Sequence, residues 1–317
     1  MDYEKLGKSD LMVSKIGLGA WQFGDENWGW GVDYGEKNAL DVIASAIDHG
    51  INFIDTAEVY GNGISESTVG KAIKDKREKV VISTKVSGQH LRYVDVLKAA
   101  HRSLKRLQVE VIDLYQIHWP SSYVPLEETM RAMEKLIREG KVRYIGLSNF
   151  PVPLIKEAEK CFPHPIISNQ VRYNLVQRDV ERGIIPYTRE REISIIAWSP
   201  LAKGLLTGKY NEEIRPSNDI RKRYEPLFTI EENYSKIVKF VKILEKIATN
   251  HQKTIAQVAL NWLISQPGVF AIPGAKRPDQ VIENASASGW RLEEEEIREL
   301  DKESKSLNLS YEEKNNS

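Results

Sequence analysis

The sequence predicts an α/β fold, a single (β/α)8 TIM barrel with a long loop after strand 7 and an extra helix before strand 8. Two observations predict it. Short apolar runs rich in β-branched residues alternate with amphipathic stretches along nearly the whole chain of 317 residues, and eight such runs occur. This alternation produces a parallel sheet, and eight strands at this length favour a closed barrel over an open sheet. No linker rich in Pro, Gly and Ser interrupts the pattern, so residues 1–317 are predicted to form one domain.

The eight apolar runs are the predicted strands. In chain order they are 16–19, 52–55, 80–84, 112–117, 144–147, 166–169, 193–197 and 269–272. Helices are predicted at 37–49, 66–74, 94–107, 126–138, 151–160, 180–191, 234–250 and 278–288, with the extra helix at 254–265. The spacing in the third helix places Val94, Leu97, His101 and Leu104 on one face. Residues 198–231 are predicted to form a long, mostly irregular loop, and 304–317 a frayed polar tail.

Charge and composition exclude several kinds of partner. Lys+Arg and Asp+Glu each total 45, and a formal net charge of zero argues against a broad nucleic-acid or anionic-membrane surface. No apolar run approaches the roughly 18–20 residues that span a bilayer, and residues 1–14 lack the apolar core of a signal peptide. The single cysteine, Cys161, cannot form an intrachain disulfide and is expected to be a small buried residue. We therefore expect a cytoplasmic protein whose partner is a small molecule.

Four ionisable residues follow three consecutive predicted strands. Asp55 closes the second strand, Lys85 follows the third and His118 follows the fourth. Tyr60 lies in the loop after Asp55. Barrel enzymes carry their catalytic residues at the carboxyl ends of the strands, so the four are predicted to share an active site. No His-x-His or His-Glu-x2-His spacing appears, and no metal site is predicted.

Several motifs, in the same order, resemble those of the aldo-keto reductase family. Residues 55–66 (Asp-Thr-Ala-Glu-Val-Tyr-Gly-Asn-Gly-Ile-Ser-Glu) resemble the signature Asp-x4-Tyr-Gly-x-Ser-Glu, with a slightly longer loop. The other matching pieces are Ser83-Thr84-Lys85, Gln116-Ile-His118, Ile145-Gly146-Leu-Ser148-Asn149-Phe150, Gln170-x2-Tyr173-Asn174 and Trp198-Ser199-Pro200-Leu201. The resemblance runs from Leu6 to about Trp290, and is closer to bacterial and archaeal general reductases and potassium-channel β-subunits than to mammalian steroid enzymes.

The resemblance implies an oxidoreductase that reduces aldehydes or ketones to alcohols, reversibly, by hydride transfer from NADPH. It implies that Tyr60 is the general acid and base. A free tyrosine has a pKa of about 10, which is too high for effective proton transfer near neutrality. A cationic Lys85 would lower that pKa, and Asp55 would keep Lys85 charged. His118 would hold the substrate carbonyl oxygen beside Tyr60.

No Rossmann fingerprint is present, since residues 17–22 lack its third glycine. The cofactor-binding residues are therefore given only by the resemblance. Lys276 and Arg277 are the candidates for the 2′-phosphate of NADPH. Gln280 and Gly274 stand where many relatives carry arginine and lysine, so NAD(H) is kept as a weaker alternative. The implied cofactor-binding residues are Trp21, Asp55, Ser148, Asn149, Gln170, Trp198, Ser199, Pro200, Leu201, Gly204, Lys209, Gly274, Lys276, Arg277, Gln280, Glu283 and Asn284.

Aromatic residues crowd the first loop. Trp21 there and Trp119 after the fourth strand are assigned, with Tyr60 and His118, to the substrate pocket. Trp28 and Trp30 fit equally well as pocket wall or as a small core within the loop.

Two other functions remain open. One is a nicotinamide-binding regulatory or sensor subunit with little turnover, as in channel β-subunits. The other, suggested by the barrel alone, is a Schiff-base aldolase that uses Lys85 as its nucleophile.

Overall fold

An antiparallel hairpin and eight parallel strands form the β-structure of the computed structural model, which describes residues 1–216, 221 and 225–310. The hairpin consists of β1 (Tyr3–Lys5) and β2 (Met12–Ser14). The parallel strands are β3 (Leu18–Gly19), β4 (Phe53–Asp55), β5 (Val81–Val86), β6 (Ile112–Ile117), β7 (Val142–Ser148), β8 (Ile166–Arg172), β9 (Ser194–Trp198) and β10 (Val269–Ala271).

The parallel sheet closes on itself. Each strand from β3 to β10 pairs with the next one along the chain. Parallel bridges from Ile16 to Ala271 and from Gly19 to Gly274 then join the first strand to the last. A Cβ at Gly19 would lie 2.7 Å from the carbonyl oxygen of Ile272, so glycine permits this close approach. The predicted (β/α)8 barrel is confirmed, and each predicted strand overlaps one of the eight.

Helices connect the strands in the predicted alternation. The helix at 126–138 is reproduced at both ends, and the extra helix before β10 is present. No helix in the described ranges is long and apolar enough to cross a membrane. The helices are α1 (Glu36–Asp48), α2 (Ile64–Ile73), α3 (Tyr93–Leu107), α4 (Leu126–Arg138), α5 (Val152–Cys161), α6 (Ile184–Glu190), α7 (Pro226–Thr229), α8 (Glu231–His251), α9 (Ile255–Ile264), α10 (Pro278–Ala285) and α11 (Glu294–Lys305).

Three details of the helices differ from prediction. The helix predicted at 180–191 is interrupted at Gly183, between a 3₁₀ helix (Asp179–Arg182) and α6. Cys161 is half-exposed at the end of α5, where its thiol donates to the carbonyl oxygen of Glu157 at 2.9 Å. In α3, Val94 is 55% exposed and His101 is exposed, so these two residues of the predicted face do not belong to the buried face.

The buried face of α3 carries small residues. It consists of Val96, Ala99, Ala100, Ser103, Leu104 and Leu107. The reason is the close approach of α2, where a Cβ at Gly70 would lie 2.6 Å from the backbone of Leu107. A helix face that packs against a neighbouring backbone needs small side chains. Larger apolar residues beside that face, such as Val94, remain exposed to solvent.

The N-terminal hairpin, which the sequence analysis did not predict, contributes to the barrel interior. Leu6, Leu11 and Val13 are buried with inward-facing strand residues such as Phe53 and Ile167. Gly7 has a left-handed φ of 55°, and a Cβ there would lie 2.2 Å from the carbonyl oxygen of Ile167. The hairpin therefore packs its turn directly against the start of the barrel strands.

The C-terminal segment is more ordered than predicted. Helix α11 was not predicted, and Ser304 at its end is buried and donates to the carbonyl oxygen of Leu175. Ser310 exchanges two hydrogen bonds with Asn233, at 3.0 and 2.6 Å. Residues 304–310 are thus held against the protein, while 311–317 lie outside the described residues.

Asp113, near the start of β6, should contribute strongly to stability. It accepts from the backbone N–H of Ile82 at 2.9 Å and pairs with Arg77 at 2.8 Å and Arg143 at 3.1 Å. Asp113→Ala should lower the free energy of unfolding by about 1–3 kcal/mol, because it leaves a buried N–H unpaired. Chemical denaturation measures the change.

The matched control is Glu294→Ala, which removes an exposed pair with Arg298 and should leave stability nearly unchanged. Equal stability of the two variants would show that Asp113 does not hold β5 and β6 together.

Candidate active site

The four ionisable residues meet at the carboxyl-terminal mouth of the barrel. Lys85 Nζ lies 2.6 Å from Asp55 Oδ1 and 3.3 Å from Tyr60 Oη. The rings of Tyr60 and His118 make an edge contact, with centroids 5.5 Å apart and an interplanar angle of 81°. The structure therefore brings together the four residues that the strand ends predicted.

The loop that carries Tyr60 is held tightly against the first loop. Gly61 has a φ of 53°, and a Cβ there would lie 2.6 Å from the Cα of Gly24. Ser65 donates to the carbonyl oxygen of Ala20 at 2.8 Å. The glycine and serine of the signature thus fix the position of Tyr60 relative to β3.

Lys85 is fully buried among oxygen acceptors. Besides Asp55 and Tyr60, its ammonium donates to the carbonyl oxygen of Thr56 at 2.8 Å. Burial works to lower the pKa of Lys85, but the attraction of Asp55 and Tyr60 outweighs it and raises the pKa above its ordinary value. A Schiff-base nucleophile must be a neutral amine. The pairing of Lys85 with Asp55 favours the charged ammonium and therefore argues against the aldolase.

The pKa of Tyr60 lies above its ordinary value. Burial is the largest cause, the charge of Lys85 works to lower the pKa, and the charge of Asp55 raises it. The lowering expected from Lys85 is present, but it is smaller than the effect of burial, and the charge of Asp55 adds to that effect.

His118 is a neutral imidazole at neutral pH. Burial first, and the nearby charge of Lys85 second, lower its pKa to about 3. Its backbone is fixed by a hydrogen bond from its N–H to the carbonyl oxygen of Val86 at 3.0 Å. An imidazole in this state can donate one hydrogen bond without bringing a second positive charge to the site.

Four predicted cofactor residues form a connected group beside these side chains. Asn149, left-handed at a φ of 62°, donates to Ser148 Oγ at 3.0 Å and accepts from Trp198 Nε1 at 3.1 Å. The Asn149 N–H donates to the carbonyl oxygen of Gln170 at 2.8 Å. Gln170 Nε2 donates to Asp55 Oδ2 at 2.9 Å. The group joins the ends of β7, β8 and β9 to the active site.

The loop after β9 begins with a sharply turned segment. Ser199 is left-handed at a φ of 49°, and Gly204 at 102°. Pro200 is buried, Leu201 is half-buried and Lys209 is exposed. A 3₁₀ helix (Ala202–Thr207) follows, where a mostly irregular loop was predicted. Residues 217–220 and 222–224 of that loop lie outside the described residues.

Two basic residues of this loop were missed by the sequence analysis. Lys203 pairs with Glu225 at 2.6 Å, and Arg221 donates to the carbonyl oxygen of Lys203 at 3.2 Å. The guanidinium carbon of Arg221 lies 5.2 Å from the centroid of the Trp28 ring. The only sequence signal was a basic residue in a long loop, which does not show where the side chain points.

Lys276 and Arg277, after β10, face different surroundings. Lys276 Nζ donates to the carbonyl oxygen of Trp28 and lies 5.0 Å from the centroid of the Tyr34 ring. The backbone N–H of Lys276 donates to Gln280 Oε1 at 2.8 Å. Arg277 forms an exposed pair with Asp279 at 2.8 Å. The two basic neighbours are therefore not equivalent.

Other predicted residues of this segment pack more closely. A Cβ at Gly274 would lie 2.7 Å from Gln22 Oε1, so a lysine there would displace Gln22. Asn284 is buried in α10 and Glu283 is half-buried. Gln22, which was not predicted, also donates to the carbonyl oxygen of Ala275 at 2.8 Å and joins the first loop to this segment.

The first loop has an aromatic core of its own. Trp21 and Trp28 make an edge contact at 5.2 Å, and Trp30 contacts Tyr34 at 5.5 Å. Trp30 therefore packs within the loop, whereas Trp28 also lies against Arg221 and Lys276 of two other loops. Trp119, on the loop after β6, is 51% exposed.

Two buried carboxylates support the signature loop and were not assigned a role. Glu66 accepts from Thr84 Oγ1 at 2.6 Å and pairs with Arg106 at 3.1 Å. Glu58 accepts from the N–H of Ser87 at 2.7 Å and pairs with Arg102 at 3.1 Å. Among the described residues, no group of three or more His, Cys, Asp or Glu side chains is placed to hold a metal ion.

Comparison with known proteins matches most of the chain to aldo-keto reductases. The model of the aldo/keto reductase family matches residues 15–305. An aldo-keto reductase of Bacillus subtilis (strain 168) is 36% identical over 312 residues, which cover 95% of this chain and 92% of that protein. A probable voltage-gated potassium channel subunit beta of Arabidopsis thaliana is 36% identical over 314 residues, covering 90% and 91%. The solved structure of an aldo-keto reductase from Klebsiella pneumoniae in complex with NADPH has 31% identity, a TM-score of 0.77 and 95% coverage of each chain.

The structure is a closed α/β barrel with a buried lysine–carboxylate pair at its mouth. Together with these relatives, it defines a barrel oxidoreductase. The chain belongs to the aldo-keto reductase family.

Proposed function

We propose that the protein reduces aldehydes or ketones to alcohols, and oxidises alcohols in the reverse direction, with NADPH supplying the hydride. One observation carries the proposal: Tyr60 Oη lies 3.3 Å from Lys85 Nζ, which is 2.6 Å from Asp55 Oδ1. A hydroxyl held by a charged ammonium can release a proton from a fixed position and recover it. Membership of the family and the NADPH complex of the Klebsiella relative support the choice of cofactor.

The mouth of the barrel suits an anionic dinucleotide. Arg221 and Lys276 come from different loops, and both lie against Trp28, at 5.2 and 5.9 Å from its ring centroid. Cations beside an aromatic ring match the phosphates and the base of a nucleotide. The amide and hydroxyl groups of Ser148, Asn149 and Gln170 offer the donors and acceptors that a carboxamide needs.

Each predicted cofactor residue has a proposed place along the dinucleotide. Ser148, Asn149 and Gln170 would hold the nicotinamide carboxamide, with Trp21 and Asp55 close by, and Trp198 would stack on its ring. The remaining residues fall into two groups: Ser199, Pro200, Leu201, Gly204 and Lys209 for the pyrophosphate, and Gly274, Lys276, Arg277, Gln280, Glu283 and Asn284 for the adenosine end.

The chain's own residues complete the reaction. The neutral His118 would hold the carbonyl oxygen beside Tyr60, which transfers its proton to that oxygen. Lys85 stabilises the resulting tyrosinate, and Trp21 and Trp119 line the approach of the substrate. In the reverse direction Tyr60 accepts the proton of the alcohol.

A panel of aldehydes, ketones and alcohols tests the proposal, with NADPH and NADH and the absorbance of the reduced nicotinamide as the readout. We expect turnover of activated aldehydes, slower turnover of ketones, and a lower KM for NADPH than for NADH. Tight NADPH binding with no turnover across the panel would contradict the proposal and favour the regulatory-subunit alternative.

Lys276 should decide the preference for NADPH. A charged hydrogen bond to the 2′-phosphate contributes about 1.5–3 kcal/mol, and about 1.4 kcal/mol corresponds to a tenfold change in Kd. Lys276→Ala should therefore raise the Kd for NADPH by roughly tenfold or more and leave that for NADH nearly unchanged. Quenching of tryptophan fluorescence measures both constants.

Arg277→Ala is the matched control, because Arg277 is exposed and already paired with Asp279. It should weaken NADPH binding less than Lys276→Ala. If Lys276→Ala weakened NADPH and NADH equally, Lys276 would act elsewhere than at the 2′-phosphate.

A further inference from the structure

The carboxylate of Asp55 has more hydrogen-bond donors than its pair with Lys85 requires. Its Oδ1 accepts from Lys85 at 2.6 Å. Its Oδ2 accepts from Ser83 Oγ at 2.9 Å, from Gln116 Nε2 at 3.2 Å and from Gln170 Nε2 at 2.9 Å. Ser83, Gln116 and Gln170 are uncharged and come from β5, β6 and β8.

We propose that Ser83 and Gln116 are positioning residues for proton transfer: they hold the ionised carboxylate of Asp55 in place, so that Lys85 stays charged and directed at Tyr60. This inference rests on the proposed function. Neither residue touches Tyr60 through a hydrogen bond in the described part of the structure, so both act through Asp55 and Lys85.

The strand register supports a shared role. Asp55 lies opposite Ser83, and Lys85 lies opposite Gln116. Gln116 Nε2 also donates to Ser83 Oγ at 2.7 Å, which orients the hydroxyl for its own donation to Asp55. Ser83 and Gln116 are fully buried, so water does not replace them as donors to the carboxylate.

The oxygen of the Gln116 amide indicates why this position of β6 carries a glutamine. Among the described residues, its buried Oε1 has no hydrogen-bond partner. A buried acceptor without a partner is destabilising, and an apolar side chain of the same length would avoid it. The opposite orientation of the amide would set its oxygen against the carboxylate. The Nε2 donations to Asp55 and to Ser83 are therefore the contacts that account for the amide.

The donors affect Tyr60 through the charge of Asp55. In the described structure, Tyr60 is faced by three titratable groups: Asp55 on β4, Lys85 on β5 and the neutral His118 after β6. The charge of Asp55 raises the pKa of Tyr60 and that of Lys85 lowers it. When a donor is lost, the negative charge of Asp55 is less dispersed and acts more strongly on Tyr60. The Lys85 ammonium is also drawn more strongly to Asp55 and stabilises the tyrosinate less. Both effects move the deprotonation of Tyr60 to higher pH.

Ser83→Ala and Gln116→Met each remove one donor to Asp55 with little change of volume, and Gln116→Met also removes the donor that orients the Ser83 hydroxyl. The matched control is Ser168→Ala, because Ser168 is also a fully buried strand serine, and in the described structure its hydroxyl has no hydrogen-bond partner. Two quantities are measured for all three variants. One is the tyrosinate absorbance of Tyr60 against pH, obtained by subtracting the matching protein with Tyr60→Phe. The other is the pH profile of alcohol oxidation with NADP⁺ saturating.

We expect the Tyr60 titration and the oxidation limb to move about 0.5–1 pH unit alkaline in Ser83→Ala and Gln116→Met. The loss of one hydrogen bond to a charge corresponds to roughly 1–2 pH units, and the shift at Tyr60 is smaller because the donors act on it through Asp55 and Lys85. The kcat should fall about 3–10-fold with little change in KM, and Ser168→Ala should match the wild type. The inference is wrong if the variants that fold titrate like Ser168→Ala. The absorbance titration requires no turnover. A wild type without activity would therefore contradict the proposed function, and the titration of the variants would still test this inference.

Discussion

Tyr60→Phe should lower turnover by about 10²–10⁴-fold, the usual range for removing a positioned general acid. The ring contact with His118, 5.5 Å between centroids, does not require the hydroxyl. The variant should therefore fold normally and bind nicotinamide cofactor with a Kd close to that of the wild type. Steady-state turnover of an aldehyde and quenching of tryptophan fluorescence measure the two quantities.

Tyr123→Phe is the matched control for this substitution. Tyr123 is on the loop after β6, at the same end of the barrel, and is 89% exposed. Its hydroxyl should have no part in proton transfer, so turnover should be unchanged. Wild-type turnover in Tyr60→Phe would rule out the mechanism.

Lys85→Met should have a comparably large effect on turnover and an additional effect on stability. It leaves the carboxylate of Asp55 buried without its ionic partner, and breaking a buried pair in this way costs about 3–5 kcal/mol. It also removes the charge that works to lower the pKa of Tyr60. Because the pKa of Tyr60 then rises, the pH at which Tyr60 becomes an effective base for alcohol oxidation should move alkaline.

The double variant Asp55→Asn with Lys85→Met separates the two effects. It removes both buried charges, so it should recover much of the lost stability while turnover stays low. Denaturant unfolding and oxidation rates against pH, with cofactor saturating, measure them. A wild-type rate and a wild-type pH profile in Lys85→Met would show that Lys85 does not tune Tyr60.

His118→Asn should behave differently from Lys85→Met. With a pKa of about 3, His118 carries no charge near neutrality, and its removal changes no electrostatic effect on Tyr60 there. The Tyr60 limb of the profile should therefore stay nearly in place. Asparagine keeps a donor at the site, and the loss of rate should be larger for ketones than for small reactive aldehydes, which need less polarisation of their oxygen.

The barrel and the four ionisable residues could be predicted because they depend on local pattern. An apolar run rich in β-branched residues forms a strand in most environments, and the residue at its carboxyl end comes to the mouth whatever the details of packing. Asp55, Lys85 and His118 needed only their positions at successive strand ends. Tyr60 needed only its place in the loop directly after Asp55, but its role as general acid and base and the cofactor residues needed the family resemblance in addition.

Several of the errors concern side chains whose direction depends on distant neighbours. The buried face of α3 was missed because Gly70 of α2 brings a backbone close, and only small residues fit there. Leu6 and Leu11 are buried by barrel strands that follow much later in the chain. Neither contact leaves a mark in the local sequence.

By itself, the sequence determined the order of the strands, the family and the set of four ionisable residues at the mouth, since these follow from chain-local patterns of apolar and ionisable residues. Only the tertiary structure decided which members of that set act on one another. It turned Lys276 towards Trp28 and paired Arg277 with Asp279. It also set Ser83 and Gln116 against the carboxylate of Asp55. The physical reason is that a hydrogen bond requires two groups within about 3 Å, and strands far apart in sequence reach that distance only when the barrel closes.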